Sequence, residues 1–157
     1  MTEGADSPGV PLPPPLIPLF FFVLGAAVGS IPPSGVIPAP NLPWLGWALV
    51  APGILLIGTA FRAMVRAGTS VDPAEPARAL VTDGPFRYLR NPIYAGFTLL
   101  HFGVALGLRL PGPLILTPFV PITLQIVVIA REEAYLERRF GEDYRRYKMR
   151  VRRWGIL

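Results

Sequence analysis

Trp44-Leu45-Gly46-Trp47-Ala48-Leu49-Val50-Ala51-Pro52-Gly53-Ile54-Leu55-Leu56-Ile57-Gly58-Thr59-Ala60-Phe61 contains no charged side chain. A helix crossing a bilayer needs about 20 mostly apolar residues, and this stretch is near that length. Around it the pattern continues: no charge occurs between Asp6 and Arg62, nor between Arg109 and Arg131. Over the 157 residues 52% are hydrophobic and 16% charged, where a soluble domain averages about 25% charged. With no Cys and a single His, disulfides, thiolate zinc sites, a cysteine nucleophile and a histidine metal cluster are excluded, and no metal is expected.

Four apolar stretches read as spans, at 16–31, 44–61, 92–108 and 113–130, behind a Pro-rich leader over 1–15. Residues 16–157 then form a single membrane domain. Of the fifteen Lys and Arg, nine lie between Arg131 and Arg153, five between Arg62 and Arg90, and Arg109 stands apart. Placing the Arg62–Arg90 loop and the tail in the cytoplasm satisfies the positive-inside rule, with both termini cytoplasmic. The first stretch lacks a basic leader and an Ala-x-Ala site, so it reads as a retained helix rather than a signal peptide. The expected fold is an all-α integral membrane bundle of about four transmembrane helices with a cytoplasmic C-terminal amphipathic helix over 131–157.

Most of the twenty prolines fall in the leader and in external turns at 32–43 and 111–113. Pro52, Pro118 and Pro121 lie within spans, where a missing amide kinks a helix and leaves room for a pocket. The Gly25 to Gly29 spacing fits ordinary helix packing as well as a dimer face, and oligomeric state is not legible.

Two segments carry chemistry. The first runs Val81-Thr82-Asp83-Gly84-Pro85-Phe86-Arg87-Tyr88-Leu89-Arg90-Asn91-Pro92-Ile93-Tyr94-Ala95-Gly96. Gly84-Pro85 is a turn. Asn91-Pro92 reads as a helix start, with Asn as cap and Pro at the first helical position. The amides there, beside Arg87 and Arg90, suit a carboxylate or phosphate; a capped helix with headgroup-binding arginines is the alternative. The second segment opens with Arg131-Glu132-Glu133 and places Leu136, Phe140, Tyr144 and Tyr147 as an apolar stripe, interrupted at Gly141, on a charged helix. Two adjacent acids at a bilayer boundary need a compensating cation, supplied either by Arg87, Arg90 or Arg131 or by a cationic ligand.

His101 lies seven residues after Tyr94 and shares its helix face, so it points either into the same cavity or to a hydrogen bond with a neighbouring helix; Gln125 reads likewise. The Arg138-Arg139 and Arg145–Arg153 clusters read as binding anionic headgroups. No nucleic-acid motif accompanies them.

Together, Gly84-Pro85-Phe86-Arg87-Tyr88-Leu89-Arg90-Asn91-Pro92-Ile93-Tyr94-Ala95-Gly96 and Glu132-Glu133 with Leu136, Phe140-Gly141, Tyr144 and Tyr147 resemble the isoprenylcysteine carboxyl methyltransferase and phospholipid methyltransferase superfamily. The resemblance covers about Val81 to Trp154. It implies an S-adenosylmethionine-dependent methyltransferase, its cofactor on the cytoplasmic side under the C-terminal segment and its lipophilic or lipid-linked acceptor entering from the membrane lipids. By position it implies that Gly84, Pro85, Tyr88, Arg90, Asn91, Pro92 and Tyr94 line the cofactor pocket from one side and Glu132 and Glu133 from the other, with His101 a further candidate. Many relatives have His where this chain has Asn91, so no imidazole acts there. Methyl transfer is an in-line displacement that depends on alignment. A carboxylate acceptor needs no base, whereas an amine loses a proton to Glu133, its neighbour or water; Arg90 would orient an anionic acceptor. The alternatives are an NADPH-dependent membrane reductase of related fold and a non-catalytic lipid-binding or scaffold protein.

Overall fold

A computed structural model describes residues 7–28 and 42–155. The expected turn at 32–43 falls mostly, and the end of the first apolar stretch and Gly29 wholly, outside the described residues. Among the described residues the secondary structure is all-helical: α1 (Leu16–Val28), α2 (Leu42–Arg66), α3 (Pro92–Gly107), α4 (Pro111–Leu116), α5 (Phe119–Leu124) and α6 (Ala130–Arg150). A 3₁₀ turn over Gly84–Arg87 precedes α3, and a π-helical turn over Gln125–Ile129 joins α5 to α6.

α2 has 25 residues, about 37 Å at ~1.5 Å per residue, enough for a hydrocarbon core of about 30 Å. Among the described residues it is the one helix long and apolar enough to cross a membrane on those criteria, while α1 and α3 are shorter apolar helices. The helix is unbroken through Pro52. The stretch expected as a single span over 113–130 is instead divided. α4 ends before Thr117, Pro118 precedes α5, and the π turn follows within a few residues. Pro118 lacks the amide that would carry α4 onward, and the π turn is a local widening of the kind that accommodates an extra residue.

Glycine sets the closest helix contact. A Cβ on Gly103 of α3 would lie 2.8 Å from the Gly46 carbonyl oxygen of α2, and one on Gly96 would lie 2.5 Å from Ile57 Cγ1. Small residues at these positions let the two backbones approach as packed membrane helices do. Gly25 of α1 meets the Gly112-Pro113 backbone of α4 within the chain. α3 closes in a Schellman turn, with Arg109 at φ 57° and the Leu110 amide donating to the Ala105 carbonyl at 2.9 Å.

Two apolar clusters follow. Ile17, Tyr94, Val120, Leu124, Val128 and Ile129 are buried together, and Val10 from the Pro-rich leader and Trp154 from the tail pack on them. Tyr144, Tyr147 and Val151 form the second, covered by Leu80, Phe86, Leu136 and Phe140. The expected stripe is therefore a packed surface. α6 bends at Gly141, at φ 53°, a conformation glycine adopts without the Cβ penalty. The bend folds the second half of α6 over the start of α3.

Candidate active site

Between the start of α3, both halves of α6 and the 69–81 loop lies a cavity of about 900 Å³, its open mouth included. Arg90, Asn91, Pro92 and Tyr94 line it from α3, Glu132, Glu133 and Tyr135 from the start of α6, and Tyr144 and Tyr147 from beyond the bend. Glu132 and Glu133 are consecutive in the first turn of α6, so their side chains project in different directions, and Tyr94, in the first turn of α3, meets Glu132.

Each acid has its own partner. The Tyr94 hydroxyl donates to Glu132 Oε1 at 2.6 Å. Glu133 is buried and held by two guanidinium groups: Arg90 Nη2 at 3.2 Å and Arg153, whose Nε and Nη2 donate at 3.0 and 2.5 Å. The environments separate the two carboxyls. Burial pushes Glu132 up to about 7, the adjacent Glu133 charge adding to the rise and the Tyr94 hydrogen bond opposing it. Hydrogen bonding to Glu133 holds the Arg153 guanidinium above its ordinary value. Burial likewise raises the Tyr144 and Tyr147 phenols. Tyr147 donates to the Phe86 carbonyl at 2.8 Å, and the Tyr135 hydroxyl accepts from the Ala77 amide at 2.9 Å, anchoring the loop that walls the cavity.

One polar atom of this network is unmatched. Arg90 Nε is buried without a hydrogen-bond partner, although its guanidinium is paired at Nη2. Unsatisfied buried donors are uncommon, and this one lies on a cavity-lining side chain at a helix start. Asn91 occupies the cap position of α3 but makes no capping hydrogen bond. Its Nδ2 donates to the Arg153 carbonyl at 3.4 Å. The expectation that Asn91 caps the helix is thus corrected: the amide is drawn to the tail, and the helix-start amides are left without a side-chain acceptor.

The structure brings together Arg90, Asn91, Pro92, Tyr94, Glu132 and Glu133 and sets the other sequence candidates apart. Gly84 and Pro85 begin the 3₁₀ turn, where a Gly84 Cβ would meet Ala63 of α2 at 3.5 Å; Phe86 is the turn residue that reaches the cavity. Tyr88 is 72% exposed. His101 lies outside the cavity lining, its Nδ1 3.1 Å from the Pro18 carbonyl and its Nε2 2.9 Å from that of Pro113. It ties α1 to α4, the interhelical role among its readings. Gln125 sits in the π turn with Oε1 buried and unpartnered. The tail cluster read as headgroup-binding is largely paired: Arg145 to Glu142, Arg146 to Asp143, Lys148 to Glu137 and Arg153 to Glu133.

Sequence reasoning missed Arg153, Tyr135 and the 69–81 wall. Arg153 ends a basic run in which nothing local distinguishes it, and the wall carries no motif. A second, apolar groove adjoins the cavity, lined by Val10, Leu12, Pro13, Phe61 and Phe97 and sharing Ile93 and Tyr94 with it. Its leader wall is pinned where Arg131 Nη1 donates to the Gly9 carbonyl at 3.2 Å.

Residues 42–143 match the family described as Phospholipid methyltransferase. The chain is 34% identical over 109 residues to a protein-S-isoprenylcysteine O-methyltransferase of Schizosaccharomyces pombe, covering 63% of this chain and 45% of that protein. It is 33% identical over 107 residues to a phosphatidylethanolamine N-methyltransferase of Homo sapiens, covering 64% of this chain and 54% of the relative. An uncharacterized protein of Haemophilus influenzae is 73% identical over 26 residues, 17% of this chain and 41% of that protein. The matches thus span about half the length of these curated relatives.

Proposed function

The chain belongs to the Phospholipid methyltransferase family, and from that premise we propose that it is an integral membrane methyltransferase using S-adenosylmethionine on a lipophilic or lipid-linked acceptor. The observation that carries this reading is the cavity at the start of α3, lined by Arg90, whose Nε is buried without a partner, and by the acids Glu132 and Glu133.

Those residues fit the cofactor. Its carboxylate needs donors, which Arg90 Nε and the uncapped α3 amides provide. Its ammonium and sulfonium need acids, which Glu132 and Glu133 provide, and its adenine needs an aromatic wall, for which Tyr144 and Tyr147 are placed. When bound, S-adenosylmethionine supplies a methyl group on a sulfonium, open to in-line displacement. The chain's own part is to align and desolvate. Glu132, with its carboxyl near 7, can take the proton of an amine acceptor, and Tyr94 holds its Oε1 in place; a carboxylate acceptor needs no such base. The apolar groove, open to Tyr94, receives the acceptor's hydrocarbon part. α1, α2, α3 and the α4–α5–π segment cross the membrane, with the basic loop and tail on the cytoplasmic side by charge.

Membranes containing the protein, given methyl-labelled S-adenosylmethionine and a lipid extract supplemented with a farnesylated cysteine, test the reading. Label partitioning into the organic phase is the expected result; no lipophilic label above that of a Glu132→Gln, Glu133→Gln double variant would overturn it.

A further inference from the structure

Residues 8–15 lie outside the family match over 42–143, yet they wall two of the spaces at the start of α3. Pro8 lines the main cavity, and Val10, Leu12, Pro13, Pro14 and Pro15 line the adjoining apolar groove. Five of these eight residues are proline, so the leader crosses an apolar surface with few amide donors to satisfy. It is held at both ends. Arg131 Nη1 donates to the Gly9 carbonyl at 3.2 Å, and the Pro13 and Pro14 carbonyls accept from the Leu16 and Ile17 amides of α1 at 3.0 and 3.2 Å. Between these ties Val10 packs on the cluster that holds Tyr94, while Leu12 is 50% exposed. Phe61 of α2 and Val71 of the loop that follows line the same groove and are each 39% exposed. Val71 lies beyond the end of α2 at Arg66, so a lipid-facing place on that helix does not account for it. Large apolar side chains from three segments thus converge uncovered on one groove, and Ile93 and Tyr94 line both that groove and the main cavity.

We propose that the leader is a selectivity wall for the methyl acceptor: a hydrocarbon chain of the acceptor lies in this groove, and Leu12 sets which chain fits. The occupant follows from continuity. A mostly apolar groove that shares Ile93 and Tyr94 with the cavity suits a molecule whose polar end reaches that cavity and whose other end is hydrocarbon. Covering Leu12, Phe61 and Phe97 with such a chain removes from water apolar surface that the protein alone leaves open. The prolines stiffen the wall, so the size of the residue at position 12 changes the width of the groove rather than its course. The proposal rests on the methyltransferase reading, and it adds to that reading a specificity element that the family match does not include.

Photolabelling and kinetics on the full chain in membranes test the wall. The probes are S-farnesylcysteine and phosphatidylethanolamine, each with a diazirine in its hydrocarbon chain, and labelled residues are mapped by mass spectrometry. Label at Leu12, Phe61 or Phe97 from at least one probe, competed by the same lipid without diazirine and lowered about fivefold or more in Leu12→Trp, is the expected result. Methyl transfer is then followed with S-geranyl-, S-farnesyl- and S-geranylgeranylcysteine and with phosphatidylethanolamines of short and long acyl chain. In the series that the protein methylates, Leu12→Trp is expected to lower kcat/KM for the longest chain relative to the shortest by about tenfold or more, through KM, and Leu12→Ala to move the preference towards the longest. S-adenosylhomocysteine affinity, read by calorimetry, is expected to stay within twofold in both variants. Label spread over the exposed faces of α1 and α2 with none at the groove would make the groove ordinary lipid contact and overturn the proposal, as would equal changes for every chain length. Loss of S-adenosylhomocysteine affinity in both Leu12 variants would make the leader a structural strap and equally overturn it. A parent protein labelled at the groove that binds no S-adenosylhomocysteine would overturn the methyltransferase reading and leave the chain-binding wall standing.

Discussion

α3 carries polar groups at its start and just past its midpoint, and the two places differ in what surrounds them. Deep in the bundle, both ring nitrogens of His101 lie against carbonyls of α1 and α4, and the Phe22 ring meets its edge at 5.6 Å. At the start of the helix Arg90 and Tyr94 face two acids and a cavity, and one guanidinium nitrogen has no partner. A buried polar group whose hydrogen bonds are all made by backbone acts as a strut. One whose partners are ionic, shared and incomplete is arranged for something that arrives.

That contrast is sharpened most by removing Glu133. Glu133→Ala leaves two guanidinium groups without their anion, so S-adenosylhomocysteine affinity is expected to drop by two orders of magnitude or more, with a stability loss of about 3–5 kcal/mol, the scale for breaking a buried ion pair; calorimetry and chemical denaturation in mixed micelles read both. Tyr94→Phe deletes one hydrogen bond to a carboxylate, a loss of about 1.5–3 kcal/mol, and turnover of an amine acceptor is expected to fall roughly tenfold or more. His101→Leu should do the reverse. It removes the ring N–H that one of these carbonyls accepts, lowering stability by about 1–3 kcal/mol, while ligand affinity stays within twofold; a large affinity loss would erase the distinction between the two places.

Glu132 gives a pH signature. Burial pushes its folded-state carboxyl up to about 7, above the ordinary 4.5, so the folded protein holds the proton more tightly than the unfolded chain. Stability from this group is then fully present below about 4.5 and is lost as pH rises through 7. The melting temperature of the parent protein should therefore fall across that window relative to Glu132→Gln, whose curve should be flatter. Arg146→Ala, on the solvated face of α6 beside Asp143, should change stability by less than about 0.5 kcal/mol.

What the sequence disclosed follows from range. The start of α3 at Pro92, the apolar helices and the adjacency of Glu132 to Glu133 are set by neighbours in the chain and were legible. The pairing of Tyr94 with Glu132 spans 38 residues and that of Asn91 with the Arg153 carbonyl 62. Of these, the first was within reach through the resemblance, which put both residues at one pocket. The second was not, because Asn before Pro has an adequate local explanation as a cap, and only the folded tail offers it a better acceptor. Arg153 was hidden by its own surroundings: in a run of arginines, the one that turns inward has the same neighbours as those that do not. Tyr88, which is exposed, and His101, which lies outside the cavity lining, show the converse limit. Motif membership and helical phase place a residue on a face, and the depth of the bundle decides what that face meets.

Calorimetric titration of S-adenosylhomocysteine into the purified protein in detergent, with NADPH as the control ligand, tests the central claim most directly. A saturable heat with the adenosyl ligand, absent with NADPH and lost in Glu133→Gln, is the predicted result. A folded sample that binds NADPH alone, or neither ligand, would contradict the account.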